Sequence, residues 1–531
     1  MTRPAAIFII LIALGLASAG LFHSSNIASR LNEQFDSRLA KIETEHDEEL
    51  AKAQSEGGGN LRAEGELMER VSYLEEQLTL YQTENARLLK TIDQMVADGG
   101  ELPGAPGEAM PEKDPEEQKD LRGKVEELTA KLRKLDYKAP VTYETKDWDG
   151  MRELIESNLR KQFGKDDPEG KRQSRAFASV GFIKPGVDLL SESANLLTNQ
   201  NGIALYDGGS KIVMNKDAST KSIHDRTALS IELARTLQDQ NFGHTPVEEI
   251  ESADMFTAMH ALTIGDANLV KVRFMLQDTF PTDDNLKDSP TAMSKQDFDV
   301  IPAFVREYFL FPYTMGMNFC QVLHEKNGWE SVNMAHARPP RSTAQILHPE
   351  LYISDQQFEP VAFDFPVGKM EIKGELPLWD NTAGELGISV LLNQSQFLQE
   401  MRNLKIEEPG EMPVLSPGDY VERPGSKAAS GWRGDRCIVY SAGEGMEGKD
   451  HYAWFTAWGS EEDAIEFFNA MKSSLRFRYD SEANSEPGSE EFVIADDKRH
   501  VRMIRDKETH QVHIFSATDA DWQSAMQAAF E

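Results

Sequence analysis

The sequence predicts an α+β fold: a mostly helical core and a mixed C-terminal α/β region, preceded by an N-terminal membrane segment and a coiled coil. Three observations point there. Apolar residues recur at helical spacing between 148 and 326, strand-like alternation takes over beyond 430, and a heptad rhythm runs from 67 to 95.

At the start of the chain, Arg3 precedes an apolar stretch from Ala5 to Ala17, followed by Ser18, Ala19, Gly20, Leu21 and Phe22. This pattern directs export. Ala17-Ser18-Ala19 fits a small-residue cleavage site, whereas Ala5 to Phe22 is just long enough to span a bilayer if left uncut. Residues 1–23 are therefore read as a signal anchor or a signal peptide. The location that follows is a bacterial inner membrane facing the periplasm, or a periplasmic or secreted one if the segment is cleaved.

Residues 24–136 read as a jointed stalk. Leu67, Val71, Leu74, Leu78, Tyr81, Asn85, Leu88, Ile92 and Met95 are spaced alternately by four and three, the seam of a coiled coil. Asn85 at an a position favours a parallel two-stranded register, so a homodimer is the expected partner state; one solvated helix or an intramolecular hairpin is the alternative. Gly57-Gly58-Gly59 breaks the rod, a Pro/Gly-rich linker occupies 98–116, and heptads resume at Leu121, Val125, Leu128, Leu132 and Leu135.

From about residue 140 the texture is globular, and the body divides into 140–360 and a C-terminal α+β region at 361–531. Helices are expected near 148–163, 186–198, 222–241, 249–277, 296–310 and 314–326. A hairpin is expected where Ile203–Tyr206 and Lys211–Met214 flank Asp207-Gly208-Gly209-Ser210. Strands follow near 435–441, 452–458, 491–496, 500–505 and 511–516. A helix at 461–474 is capped by Ser460.

Charge and chemistry narrow the function. The formal net charge of −33 opposes binding to nucleic acid. No glycine-rich phosphate loop follows an expected strand, and no serine or cysteine sits in a nucleophile elbow. The two cysteines, Cys320 and Cys437, each lie in an apolar run where a free core thiol is an ordinary occupant.

The informative segment is 231–240, Ile-Glu-Leu-Ala-Arg-Thr-Leu-Gln-Asp-Gln. In a His-Glu-x-x-His helix, imidazoles at i and i+4 share a face and hold Zn²⁺ while the glutamate acts as general base. Here Ile231 and Arg235 stand at those positions around Glu232, and neither an alkyl group nor a guanidinium coordinates a cation.

Together with Leu237–Phe242, Ala261–Ala267, Phe311–Gly316, Asn327-Gly328-Trp329, Pro339–Tyr352, Gly384–Gly387 and Gly431–Arg436, this segment resembles secreted bacterial zinc metallopeptidases of gluzincin-like design. The resemblance spans roughly 150–480. It implies a metallopeptidase-like core from which all three ligands are gone, at Ile231, Arg235 and Ile264, the last standing where the family carries a glutamate. The function it implies is a non-catalytic pseudopeptidase, a membrane-anchored binding or scaffold protein of the bacterial envelope with a polypeptide or envelope-protein partner. No cofactor is expected, since zinc is lost. The alternative is an active metal-dependent hydrolase with non-standard ligands; of the nearby His224, His244 and His260, His224 lies about two turns before Ile231, too far along the axis to share the same ion easily. Arg235 is expected to replace the metal's charge in a cluster with Glu232 and Asp266, or else to point to solvent. His348 stands in a block shared with the family, as a ligand for a substrate carbonyl or as a structural hydrogen-bond partner.

Overall fold

A computed structural model of the chain describes residues 115–243, 250–280, 300–354, 358–406, 412, 423–446, 448–483, 485–486 and 488–530. The first described helix, α1 (Pro115–Arg133), is followed by β1 (Thr142–Lys146), α2 (Trp148–Phe163), α3 (Lys171–Val180) and α4 (Leu189–Asn201). The hairpin β2 (Ala204–Tyr206) and β3 (Lys211–Asn215) comes next, then α5 (Ile223–Phe242) and α6 (Ala253–Gln277). After α7 (Ala303–Phe311) a π-helical turn, Pro312–Gly316, leads into α8 (Met317–Ala337). The rest comprises β4 (Pro377–Asn381), α9 (Gly384–Asn403), β5 (Trp432–Tyr440), β6 (His451–Trp458), α10 (Glu461–Tyr479), β7 (Glu491–Ala495), β8 (His500–Asp506), β9 (Gln511–Ala517) and α11 (Ala520–Phe530).

β1, β3 and β2 form a small sheet in that order, β1 parallel and β2 antiparallel to β3. Its apolar face, with Leu205 and Val213, packs on Met151, Ile155 and Leu159 of α2 and on Leu190 and Ala194 of α4. The larger sheet is wholly antiparallel, in the order β4-β5-β6-β9-β8-β7. One face buries Ile438, Tyr440, Ala453, Phe455, Phe515 and Ala517 beneath Met526 of α11 and the segment carrying Val367 and Ile372. On the other, Trp458 stacks on Phe467 of α10 and Trp454 meets Phe182. Both faces being covered, every residue of β6 is buried, and apolar residues occupy both of its faces where a one-sided strand would alternate.

In the helical half, α5 and α6 pack together. α6 meets the π turn so closely that a Cβ on Gly265 would lie 2.2 Å from the backbone of Gly316. Pro312 lacks the amide that would continue the α-helical ladder, and the wider turn absorbs the lost bond.

Several expectations are corrected here. The last heptads of the supposed stalk belong to α1, which lies against α5 and α6, with Leu121, Val125 and Leu132 buried. Their spacing reports packing on this body, because a helix docked on two others needs the same apolar stripe as a coiled-coil strand. Among the described residues no helix is long and apolar enough to cross a membrane. The segment 1–23 and the seam 67–95 lie outside the described residues. The membrane anchor, the coiled-coil homodimer, the envelope partner and the inner-membrane or periplasmic location therefore have no support in the described structure and are withdrawn. The mostly helical core and mixed C-terminal region are present as described above.

Candidate functional site

Helix α5 starts where Ser222 accepts a hydrogen bond from Asp225 N and is buried along most of its length. Glu232 lies mid-helix and buried, and its Oε2 accepts from Tyr206 N at 2.8 Å and from Arg235 Nη1 at 2.8 Å. The first bond has a plain cause: β2 is an edge strand, and the carboxylate satisfies an outward amide that no strand pairs. The second puts Glu232 and Arg235 in one ion pair. Ile231 and Ile264 are both buried.

Asp266 does not join that pair. It sits in a separate buried network, 2.8 Å from Arg133 Nε and 2.8 Å from His336 Nε2. Arg133 leaves Nη1 and Nη2 without hydrogen-bond partners and stacks on Trp329, its guanidinium carbon 4.3 Å from the ring centroid. Asp266 thus fixes α1 to the body; the spacing 232–266 could not show which cation would reach it.

Of the histidines considered for a substitute metal site, His224 lies beside Asp225 at the start of α5, His244 is outside the described residues, and His260 is near Arg235. No group of three or more His, Cys, Asp or Glu placed to hold a metal ion occurs among the described residues. That finding overturns the reading as a metal-dependent hydrolase. With no membrane-crossing helix among the described residues either, the envelope-anchored pseudopeptidase reading is withdrawn with it. Cys320 and Cys437 are both buried and free.

A second constellation gathers around the N-terminus of α9. Gly384 begins the helix at φ +73°, and Asp435 caps it: its carboxylate accepts from Ala383 N and Gly384 N, both at 2.9 Å, and from the indoles of Trp432 and Trp454 at 3.0 and 2.9 Å. Next to it, Asp254 accepts from Thr343 Oγ1 at 2.5 Å. Burial pushes the Asp254 carboxyl up to about 7, against the pull of the Thr343 hydrogen bond.

Beside these, Glu385 is buried, and its Oε1 lies 2.6 Å from His348 Nε2. Its other oxygen, Oε2, has no partner. Burial raises the Glu385 pKa despite the opposing bond and charge of His348. For His348 burial lowers the pKa, but the hydrogen bond and charge of Glu385 outweigh it and the net shift is upward. The His348 side chain keeps 26% of its surface accessible, and Nδ1 lies 3.8 Å from the exposed Glu350. His348 is thus held by a buried carboxylate at Nε2, with the exposed Glu350 carboxylate facing Nδ1 on the accessible side.

Sequence reasoning singled out His348 but missed its partner. Glu385 was visible only as one letter of the Gly384–Gly387 block, and Asp254 carried no signal beyond its place in a helix's first turn. The π turn was foreshadowed by Pro312 inside an apolar helical run.

Residues 377–527 match a family described as a domain of unknown function (DUF8575), a stretch running from β4 into α11. It contains Glu385 and Asp435, while Asp254, Thr343 and His348 precede it. No curated protein and no solved structure matches the chain.

Proposed function

We propose that the protein is a metal-independent binding protein that recognises a carboxylate or carbonyl oxygen through His348. One observation carries this reading: an accessible imidazole whose Nε2 is fixed at 2.6 Å by a buried glutamate. A carboxylate so placed sets the ring's orientation and favours the proton on Nε2, and when the second proton is taken up Nδ1 becomes a charge-assisted donor on the accessible side, where a ligand oxygen competes with the exposed Glu350 carboxylate 3.8 Å away. The upward pKa of His348 favours that doubly protonated form at milder pH than for a free histidine. No nucleophile or bond-breaking step is assigned, so the function proposed is recognition.

The test is a titration of ¹⁵N-histidine-labelled protein, in EDTA, with sodium acetate. A saturable shift of the His348 imidazole signals is expected, absent in His348→Gln. In Glu385→Gln the free-state pKa of His348 should fall. Acetate that leaves the His348 signals in place, or a response that needs added metal, would refute the reading.

A further inference from the structure

β7 is an edge of the large sheet, paired on one side only, with β8. Its ladder fixes which backbone groups face outward. Arg505 N donates to Glu490 O at 2.7 Å and Asp496 N to Arg499 O at 3.3 Å. In the antiparallel register the even-numbered residues from 490 to 496 therefore bond to β8, and Glu491, Val493 and Ala495 turn their N–H and C=O away from it. Glu491 is already served: Ser489 Oγ donates to its carbonyl at 2.8 Å and accepts from its amide at 3.2 Å. Among the described residues nothing pairs with the outward groups of Val493 and Ala495, and both residues are exposed, Val493 by 42%.

The other edge of this sheet is blunted. β4 begins at Pro377, which has no N–H to offer, and a bulge follows between Pro377 and Trp379. β7 contains no proline and no lysine, and its pairing with β8 runs without a bulge.

The unprotected stretch is self-complementary. A twofold axis through Ile494 lays a second β7 antiparallel to the first, with Val493 opposite Ala495 of the second copy and the reverse. Each pair then exchanges both of its hydrogen bonds, every free group is used, and Glu491 keeps Ser489. Moving the axis to Val493 would need the Glu491 groups that Ser489 holds, and moving it to Ala495 would set Val493 opposite Asp497, past the end of the strand. The axis at Ile494 also sets Glu490, paired in its own chain with Lys507, opposite Lys498 of the second copy. Glu491 would face Asp497, but Arg502 neutralises it, Nε 2.6 Å from Oε1.

We propose that β7 is a dimerisation edge, at which two copies of the chain join about Ile494 so that their two large sheets become one. The surface is distinct from the His348 site and from the coiled coil withdrawn above. Because the edge is short and each copy carries a net charge of −33, the association is weak and tightens as salt screens the repulsion.

The test is sedimentation velocity of the full chain at rising concentration in high salt, where a monomer–dimer equilibrium is expected. Val493→Pro removes an amide that no bond to β8 uses, so it should leave the fold intact and weaken the dimer at least roughly tenfold. Register is read by disulfide trapping, with Cys320 and Cys437 buried out of reach. A hydrogen-bonded antiparallel pair sets its Cα atoms about 5.5 Å apart, within disulfide range, whereas the two copies of residue 493, or of 495, lie on a diagonal of roughly 7–8 Å, at or beyond the limit. A mixture of Val493→Cys and Ala495→Cys chains should therefore give a covalent dimer with diamide, and neither variant alone should do so efficiently. Trapping keeps the test decisive where Val493→Pro fails to fold. Monomer at every concentration, a dimer indifferent to a folded Val493→Pro, or equal trapping in the mixture and the single variants overturns the inference.

Discussion

Single residues decide how the two constellations are held. Gly384 is one: at φ +73° it adopts a backbone that side chains avoid, and a Cβ there would lie 1.8 Å from Asp254 Oδ1. Gly384→Ala is expected to cost roughly 3 kcal/mol in denaturant unfolding, through backbone strain and displacement of a buried carboxylate. A cost near zero would show that the helix start is not fixed as described. Residue identity was legible in the sequence where it removes a capability: Ile231, Arg235 and Ile264 offer no metal donor set whatever the fold. Partnership was not legible. Glu232 meets Arg235 because three residues on a helix are neighbours, a local fact, whereas Asp266 meets Arg133 across 133 positions, which no local pattern encodes.

At the level of elements, α1 is the clearest case of a correct period with a wrong inference. Leu121, Val125 and Leu132 make an apolar stripe, and a stripe cannot state what covers it. Docking is locked at the C-terminal end by buried Arg133, so Arg133→Met should destabilise the chain by roughly 3 kcal/mol, because Asp266 would keep its charge with His336 alone. Hydrogen exchange across 121–133 should rise most, with α10 and the large sheet least affected; a uniform rise would mean that α1 is not a separate docking unit. Helices α2, α5 and α10 and strands β5 to β9 fell close to their expected places, since their caps and periods are local signals. Ser460, for example, accepts from Asp463 N at 3.1 Å. By contrast α3, α9 and β4 were missed. α9 begins on a tertiary cap, Asp435, that lies 51 residues further along the chain.

For the whole molecule, buried carboxylates couple stability to pH. Asp254 is raised from 3.8 to about 7 in the fold by burial, and Glu385 and Asp435 are also raised, burial being the largest cause. A carboxyl whose folded pKa exceeds its unfolded value binds more protons when folded. Its contribution to stability is complete below about 4 and is lost as pH rises through about 7. Asp266 acts in the opposite sense: although burial raises its pKa, Arg133 and His336 bring it below the ordinary value, so its contribution is lost on acidification. Asp254→Asn is therefore expected to flatten the decline in unfolding free energy between pH 4 and 7, by a few kcal/mol at most. Identical pH profiles for variant and parent would remove Asp254 from this account. The sequence by itself determined the secondary-structure periods, the acidic balance and the placing of Ile231 and Arg235, neither of which carries a metal-donor atom, around Glu232, because each is written in residue type and local spacing. Only the tertiary structure decided that α1 packs on the body, that Asp266 serves Arg133, and that His348 is held by Glu385. Those facts depend on which distant charges and faces meet, and burial, which sets their strength, exists only once the chain has folded.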